Sequence, residues 1–479
     1  MVPVPQAAPQ LERLTPQDLL MLWPEDYGWP EDIGALAVLD GAALLDDDGQ
    51  VRVEVGRRRL EPKLDRVPRF RQLLYRPRLG LGWPLWVDAP SFDLADHVRV
   101  HPVDAPGDEV QLLQACGELL RRRLDPARPL WEMWFLPNLP RGRVGLFVKL
   151  HHAVADGVSG IATLGALLDL SAYPPAAQTG PWAPAPAPSW AQLLRDNLRR
   201  RLQQIRRGLS HLARPIETAR AVRRAPQWRE FFGYFGGRPT PKTSLNRPIG
   251  SGRRLVLIRG RLEPTRQIAH AHHATVNDVI LTAVAGGLRD LLQARGEDVR
   301  QLVLRALVPV SLHGQLQGQA TGNRDAMMVV PLPLGESDPV RTLRLIAADT
   351  AARKKQAHPQ TATGLMGWPV IQHMTTRFLV RQRFLNLSVT NVQGPPMPLY
   401  LAGAQLLELF PIVPLVGNIT VGVGVLSYAG QLNLTIVADP EACPDVDIFA
   451  RGVQTSLDGL TASLADGPGN GWVGSGRGR

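Results

Sequence analysis

The sequence predicts an α/β (α+β) protein with two domains, each a mixed β-sheet flanked by helices. Three observations carry this. Short β-branched apolar runs alternate with segments of helical periodicity along most of the chain. A length of 479 residues exceeds what one ordinary core organises. A proline- and alanine-dominated stretch, Tyr173 to Pro188, interrupts the pattern as a stiff spacer. The expected organisation is an N-terminal domain over 1–172, a linker with a basic helix over 173–250, a C-terminal domain over 251–465 and a loose glycine-rich tail over 466–479.

The elements follow from local chemistry. Thr15 as N-cap and Pro16 at the first helical position open a short helix, and Ile33 to Asp40 forms a strand. Leu64 to Leu81, rich in arginine and proline, is expected as a surface connection or short helix. Asp108 to Leu124 is strongly periodic and ends in three arginines, which suit a helix C-terminus. Trp134–Leu136 and Val144–Leu150 read as a hairpin around 137–142. Ser189 caps a helix with Trp190, Leu194, Leu198, Leu202 and Ile205 on one stripe and Arg195, Arg199, Arg200, Arg201 and Arg206 on its other faces. Such a helix either lies on an anionic membrane or lipid-body surface, or packs its stripe on the protein with its arginines in water.

Beyond it, Ser251 to Glu263 is strand-like, Pro264 to His273 helical, and Thr275 opens an apolar helix. Leu302–Val310 and Met327–Leu334 are strands, and Asp338–His358 and Asp447–Leu464 are helices. Ile412 to Ala438 is nearly uncharged, but its prolines, glycines and β-branched alternation argue for a β-hairpin against a membrane span.

With 44% hydrophobic and 20% charged residues, the composition is that of a globular protein. The formal charge of +11 favours anionic partners: phosphate-bearing substrates or an anionic membrane. No zinc-finger, RNP-type or basic-zipper pattern is present, so no nucleic acid is expected. Met1 to Pro16 lacks the basic and apolar regions of a cleavable signal, and two cysteines make no disulfide framework; a cytoplasmic address is expected.

The chemistry concentrates at His151, His152, Asp156 and Gly157, where the strand Val144–Leu150 ends and a helix begins. A tight turn there can bring the Asp156 carboxylate back toward the His152 imidazole or its backbone, and Gly157 lets the chain turn without a Cβ in the way. An imidazole near neutrality suits general-base catalysis on a hydroxyl or amine. The pattern His-His-three residues-Asp-Gly arises by chance about once in a thousand such chains. An isolated histidine pair also has plainer explanations: satisfied side chains at a strand end, or a zinc pair, though no matching third ligand stands nearby.

His151-His-Ala-Val-Ala-Asp-Gly157 resembles the active-site signature of the bacterial wax ester synthase/diacylglycerol acyltransferase family, within the CoA-dependent acyltransferases that include chloramphenicol acetyltransferase and condensation domains. The resemblance runs from Leu14 to about Leu464 and includes Pro129-Leu130-Trp131, Asn277-Asp278, the stretch ending at Ser311, and Gly322-Asn323-Arg324. It implies two chloramphenicol-acetyltransferase-like domains with a central substrate channel. It also implies His152 as base, with His151, Asp156 and Gly157 completing the site. Pro129, Leu130 and Trp131 would shape a pocket wall, and Asn277, Asp278, Ser311 and Asn323 would line the substrate path. Ser311 lacks the Gly-x-Ser-x-Gly context of a nucleophile.

By the same resemblance acyl-CoA is co-substrate, diacylglycerol or a fatty alcohol is acceptor, and neither a metal nor a bound cofactor is expected. The chain departs from the family near His273, where glycine is more usual, within the tract His270, His272 and His273. Two alternatives stand beside the acyltransferase: a non-catalytic lipid-binding or lipid-body surface protein, and a condensation-type acyltransferase with another acceptor.

Overall fold

The computed structural model describes residues 11–26, 28, 29, 31–78, 81–155, 157–175, 182–212, 239–311, 325–354 and 382–462. The chain forms two compact units. One comprises Met1–Gly237, Gln360–Arg381 and Pro398–Gly417; the other comprises Arg238–Pro359, Gln382–Met397 and Asn418–Arg479.

In the first unit, α1 (Pro16–Asp26) is capped reciprocally: Asp18 N–H donates to Thr15 Oγ1 at 3.2 Å and Thr15 N–H donates to Asp18 Oδ2 at 2.8 Å. Then come β1 (Asp32–Asp40), α2 (Val53–Leu60), a two-stranded ribbon of β2 (Gln72–Tyr75) and β3 (Leu85–Asp88), β4 (Val98–Val100) and α3 (Glu109–Arg121). The hairpin of β5 (Trp131–Leu139) and β6 (Arg143–His151) leads to α4 (Gly157–Leu167) and α5 (Trp190–Leu212). Two strands from much later in the chain, β11 (Tyr400–Leu401) and β12 (Ala404–Ile412), complete a sheet of order β11-β12-β1-β6-β5-β4. All its pairings are antiparallel except β4–β5. From Val144 to His151 every residue of β6 is buried, which is why Val144–Val148 reads as a continuous apolar run in sequence.

Of the expectation over 64–81, a surface connection or short helix, the short helix is met by the 3-10 turns Glu61–Arg66 and Pro68–Arg71, and the surface placement needs correcting. Phe70 is fully buried and stacks on Trp131 with ring centroids 4.4 Å apart, and Arg71 is buried beside the Asp65 carboxylate. Flanking arginines and prolines hide one aromatic anchor. Helix α5 buries Leu193 and Asn197, and Arg13 clamps it by an ion pair to Asp196 at 2.6 Å. Of the apolar stripe, Leu194 packs against the cluster of Leu81, Leu85 and Leu193, whereas Trp190, Leu198, Leu202 and Ile205 are 51 to 66% exposed.

The second unit carries β7 (Arg254–Arg261), α6 (Leu262–Ala271), α7 (Val276–Ala294), β8 (Val303–Ser311), β9 (Asp325–Pro333), α8 (Pro339–Lys354), β10 (Leu387–Gln393), β13 (Val421–Tyr428), β14 (Gln431–Ala438) and α9 (Val446–Ala462). Its sheet has the order β7-β14-β13-β10-β8-β9, with β10 parallel to both neighbours. The uncharged 412–438 region contains the expected hairpin, β13–β14, in the middle of this sheet. Helices α7 and α9 approach so closely that a Cβ on Gly287 would sit 2.6 Å from the Phe449 carbonyl oxygen. Among the described residues no helix is long and apolar enough to cross a membrane.

Candidate active site

The histidine pair is held from both sides of β6. His151 N–H donates to Leu130 O at 3.0 Å, His152 N–H to Glu31 O at 2.8 Å, and Val154 N–H to His151 O at 2.8 Å. Leu130 leads into β5 and Glu31 into β1, so the two neighbouring strands fix the turn that follows His151. That accounts for the Pro129-Leu130-Trp131 motif locally: its backbone abuts the pair.

The two rings differ. His151 is fully buried; its Nδ1 accepts the Ala153 N–H at 3.0 Å, which keeps Nδ1 unprotonated and places any proton of the neutral ring on Nε2. Nε2 lies 3.2 Å from Glu25 Oε1 on α1, within ion-pair reach but off the line of a hydrogen bond. His152 is half-buried.

Around this point lie charged groups that sequence reasoning missed. Burial opposes the charge on Glu25, but His151, with Arg76 and Arg123 beyond it, holds its carboxyl below the ordinary value. Burial pushes Glu31 up to about 8, with the carboxylates of Asp32 and Glu25 adding to the effect. Burial also pushes Asp32 up to about 6, although Lys149 and His151 pull the other way. Lys149 is fully buried 3.7 Å from Asp32, and burial lowers its pKa against the pull of Asp32 and Glu132. The signals were present: two acidic residues, Glu31 and Asp32, stand directly before an apolar strand, and a lysine sits inside the apolar run 144–150.

The other candidate residues are distributed. Pro129 and Leu130 are buried, and Trp131 is 1% exposed, stacked between Phe70 and His97 with its Nε1–H donated to Phe70 O at 2.9 Å. Asp278 is buried and committed to capping α7: Oδ2 accepts Thr275 N–H and Oγ1–H, each at 2.8 Å, and Oδ1 accepts Thr350 Oγ1–H at 2.7 Å. Asn277, beside it, has a buried Oδ1 without a donor among the described residues. Gly157 opens α4 and Ser311 closes β8. Asp156 and Asn323 lie outside the described residues. His273 adopts φ +52°, the left-handed region that glycine occupies at no steric cost and where a side chain is strained. Among the described residues no three His, Cys, Asp or Glu side chains are grouped to hold a metal ion.

Comparison with known proteins is consistent across sequence and structure. Residues 321–461 match the family model of the WS/DGAT C-terminal domain. A probable diacylglycerol O-acyltransferase of Mycobacterium tuberculosis is 32% identical over 445 residues, spanning 90% of this chain and 91% of that protein. The wax ester synthase/diacylglycerol acyltransferase from Marinobacter aquaeolei VT8 superposes with a TM-score of 0.68 at 22% identity, covering 95% of this chain and 100% of that one. The starter condensation domain of rhizomide synthetase, at 14% identity and a TM-score of 0.56 over 95% of each chain, shares the fold. Since residues 14–280, histidine pair included, match the wax ester synthase/diacylglycerol acyltransferase catalytic domain, the chain belongs to that family of acyltransferases.

Proposed function

We propose that the protein is a long-chain acyl-CoA-dependent O-acyltransferase with diacylglycerol as acceptor, and a fatty alcohol as a second, in which His152 is the general base. The observation that carries the base assignment is the asymmetry of the pair. His151 is sealed in, with Nδ1 engaged by a backbone N–H, whereas His152 has its backbone pinned and its residue half-exposed. The acceptor O–H proton passes to the His152 ring as the oxygen attacks the thioester carbonyl carbon. The tetrahedral oxyanion then collapses, the C–S bond breaks, and CoA thiolate recovers the proton from the imidazolium. No acyl-enzyme forms. Asp156 and Gly157 are assigned to the geometry of the turn, and Trp131 and Asp278 to the framework.

The diacylglycerol acceptor is supported by the names of the mycobacterial relatives. Contact with an anionic membrane or lipid-body surface is assigned to α5, because its stripe of Trp190, Leu198, Leu202 and Ile205 is exposed beyond the Arg13 clamp, with Arg195, Arg199 and Arg206 exposed beside it.

The test is transfer from radiolabelled acyl-CoA to diacylglycerol and to a fatty alcohol. His152→Ala is expected to lose at least about 10² in turnover with an unchanged circular dichroism spectrum, the usual contribution of a general base. Full turnover by that variant would remove His152 from the mechanism.

A further inference from the structure

Asp32 opens β1 directly across the ladder from His151, so the two side chains share one face of the sheet. Lys149, two residues before His151 along β6, stands on that face too. Its ammonium is 3.7 Å from Asp32 Oδ2, donates to Leu119 O at 3.0 Å, and donates to Arg122 O at the C-terminal end of α3. Neither carboxylate oxygen of Asp32 has a hydrogen-bond donor among the described residues. Asp32 and Lys149 are therefore a buried pair joining β1, β6 and α3 beside the histidines, and the transfer chemistry uses neither.

We propose that Asp32 is a positioning residue that must be ionised for acyl transfer: opposite Lys149 it holds the end of β6 so that the turn after His151 presents His152. This rests on His152 being the base.

Removing one partner of a buried ion pair costs far more than removing both, because the remaining charge is stranded. The other carboxylate near Lys149 is Glu132 on β5, directly across the ladder and already engaged by Arg99 at 2.8 Å. With Asp32 protonated, Lys149 is relieved only by shedding its own proton or by movement of β6, the strand that carries His151. The groups facing Asp32 are Lys149 and His151 from β6, Glu25 from α1 and Glu132 from β5, with Glu31 preceding it on its own strand. Burial pushes the Asp32 carboxyl up to about 6. Its protonation and that of the His152 base fall on different residues, so two protonations stop the reaction on the acid side.

The experiment measures kcat and KM of the full chain against pH, with acyl-CoA and diacylglycerol, for wild type, Asp32→Asn and Asp32→Asn/Lys149→Met. The wild-type log kcat is expected to fall with a slope near two on the acid side, and activity to return when the sample is brought back to neutrality. Asp32→Asn is expected to show a slope near one, a neutral-pH kcat lower by about tenfold or more, and KM values within about twofold of wild type. Adding Lys149→Met is expected to restore part of that kcat. A wild-type slope of one overturns the proposal without any variant needing to fold. Asp32→Asn with wild-type kcat overturns it too, as does a double variant no better than the single one. Full turnover by His152→Ala would strike the base assignment instead, a result separate from all of these.

Discussion

Glu31 offers the sharpest test of the electrostatics. Its carboxyl is buried and pushed up to about 8 from an ordinary 4.5. Between those values the folded chain keeps a proton that the unfolded chain gives up, so stability falls as pH rises and is lost fully once pH passes the folded value. At about 1.4 kcal/mol per pKa unit the whole interval is worth roughly 5 kcal/mol, and relaxation of the surroundings reduces it to about half that. Glutamine has the same shape and no proton to lose. Glu31→Gln should therefore match wild type near pH 5 and become progressively more stable toward pH 8. The contribution of Asp32, which flattens above about 6, persists in both proteins. Urea unfolding followed by tryptophan fluorescence reads the right part of the chain, because every tryptophan among the described residues belongs to the first unit. Parallel pH curves for the two proteins would refute the burial argument.

Two further outcomes follow from particular residues. His273→Gly should raise the stability of the second unit by about 1 kcal/mol, measured by hydrogen exchange in α6 and α7, because it removes a side chain from a left-handed backbone. Replacing Leu198, Leu202 and Ile205 with serine should reduce co-flotation with vesicles rich in phosphatidylglycerol by about tenfold or more while leaving transfer to detergent-dispersed acceptor intact. Undiminished flotation would remove α5 as the contact.

The sequence discloses local order well and distant pairing poorly. The α1 cap, the β5–β6 and β13–β14 hairpins and the helix opened by Thr275 depend on neighbours within a few residues, so their signals are local. Strand β12 was not anticipated. Its partner β1 lies hundreds of residues away, with Gly34 opposite Ile412, and nothing in the segment itself names that partner. The histidine pair was visible as a motif, but which of the two is sealed in depends on Leu130, Glu31, Ala153 and Glu25, supplied by β5, β1, the turn and α1. Lys149 illustrates the same limit: inside an apolar run it looks like an interruption, and only the folded sheet brings it to Asp32 and the end of α3.

The proposed proton transfer falls to one of two adjacent histidines at a strand end, and their contacts distinguish them. Protonating His151 at Nδ1 would set an N–H against the Ala153 N–H that now donates to it, breaking the contact that closes the turn. An imidazolium there would undo the support its neighbour depends on. His152 N–H donates to Glu31 O, a backbone contact indifferent to the charge on the ring, as the proposed base requires. A base must cycle between two charge states while its position stays fixed. The turn uses the His151 ring nitrogen, which is why the proposed base is its neighbour.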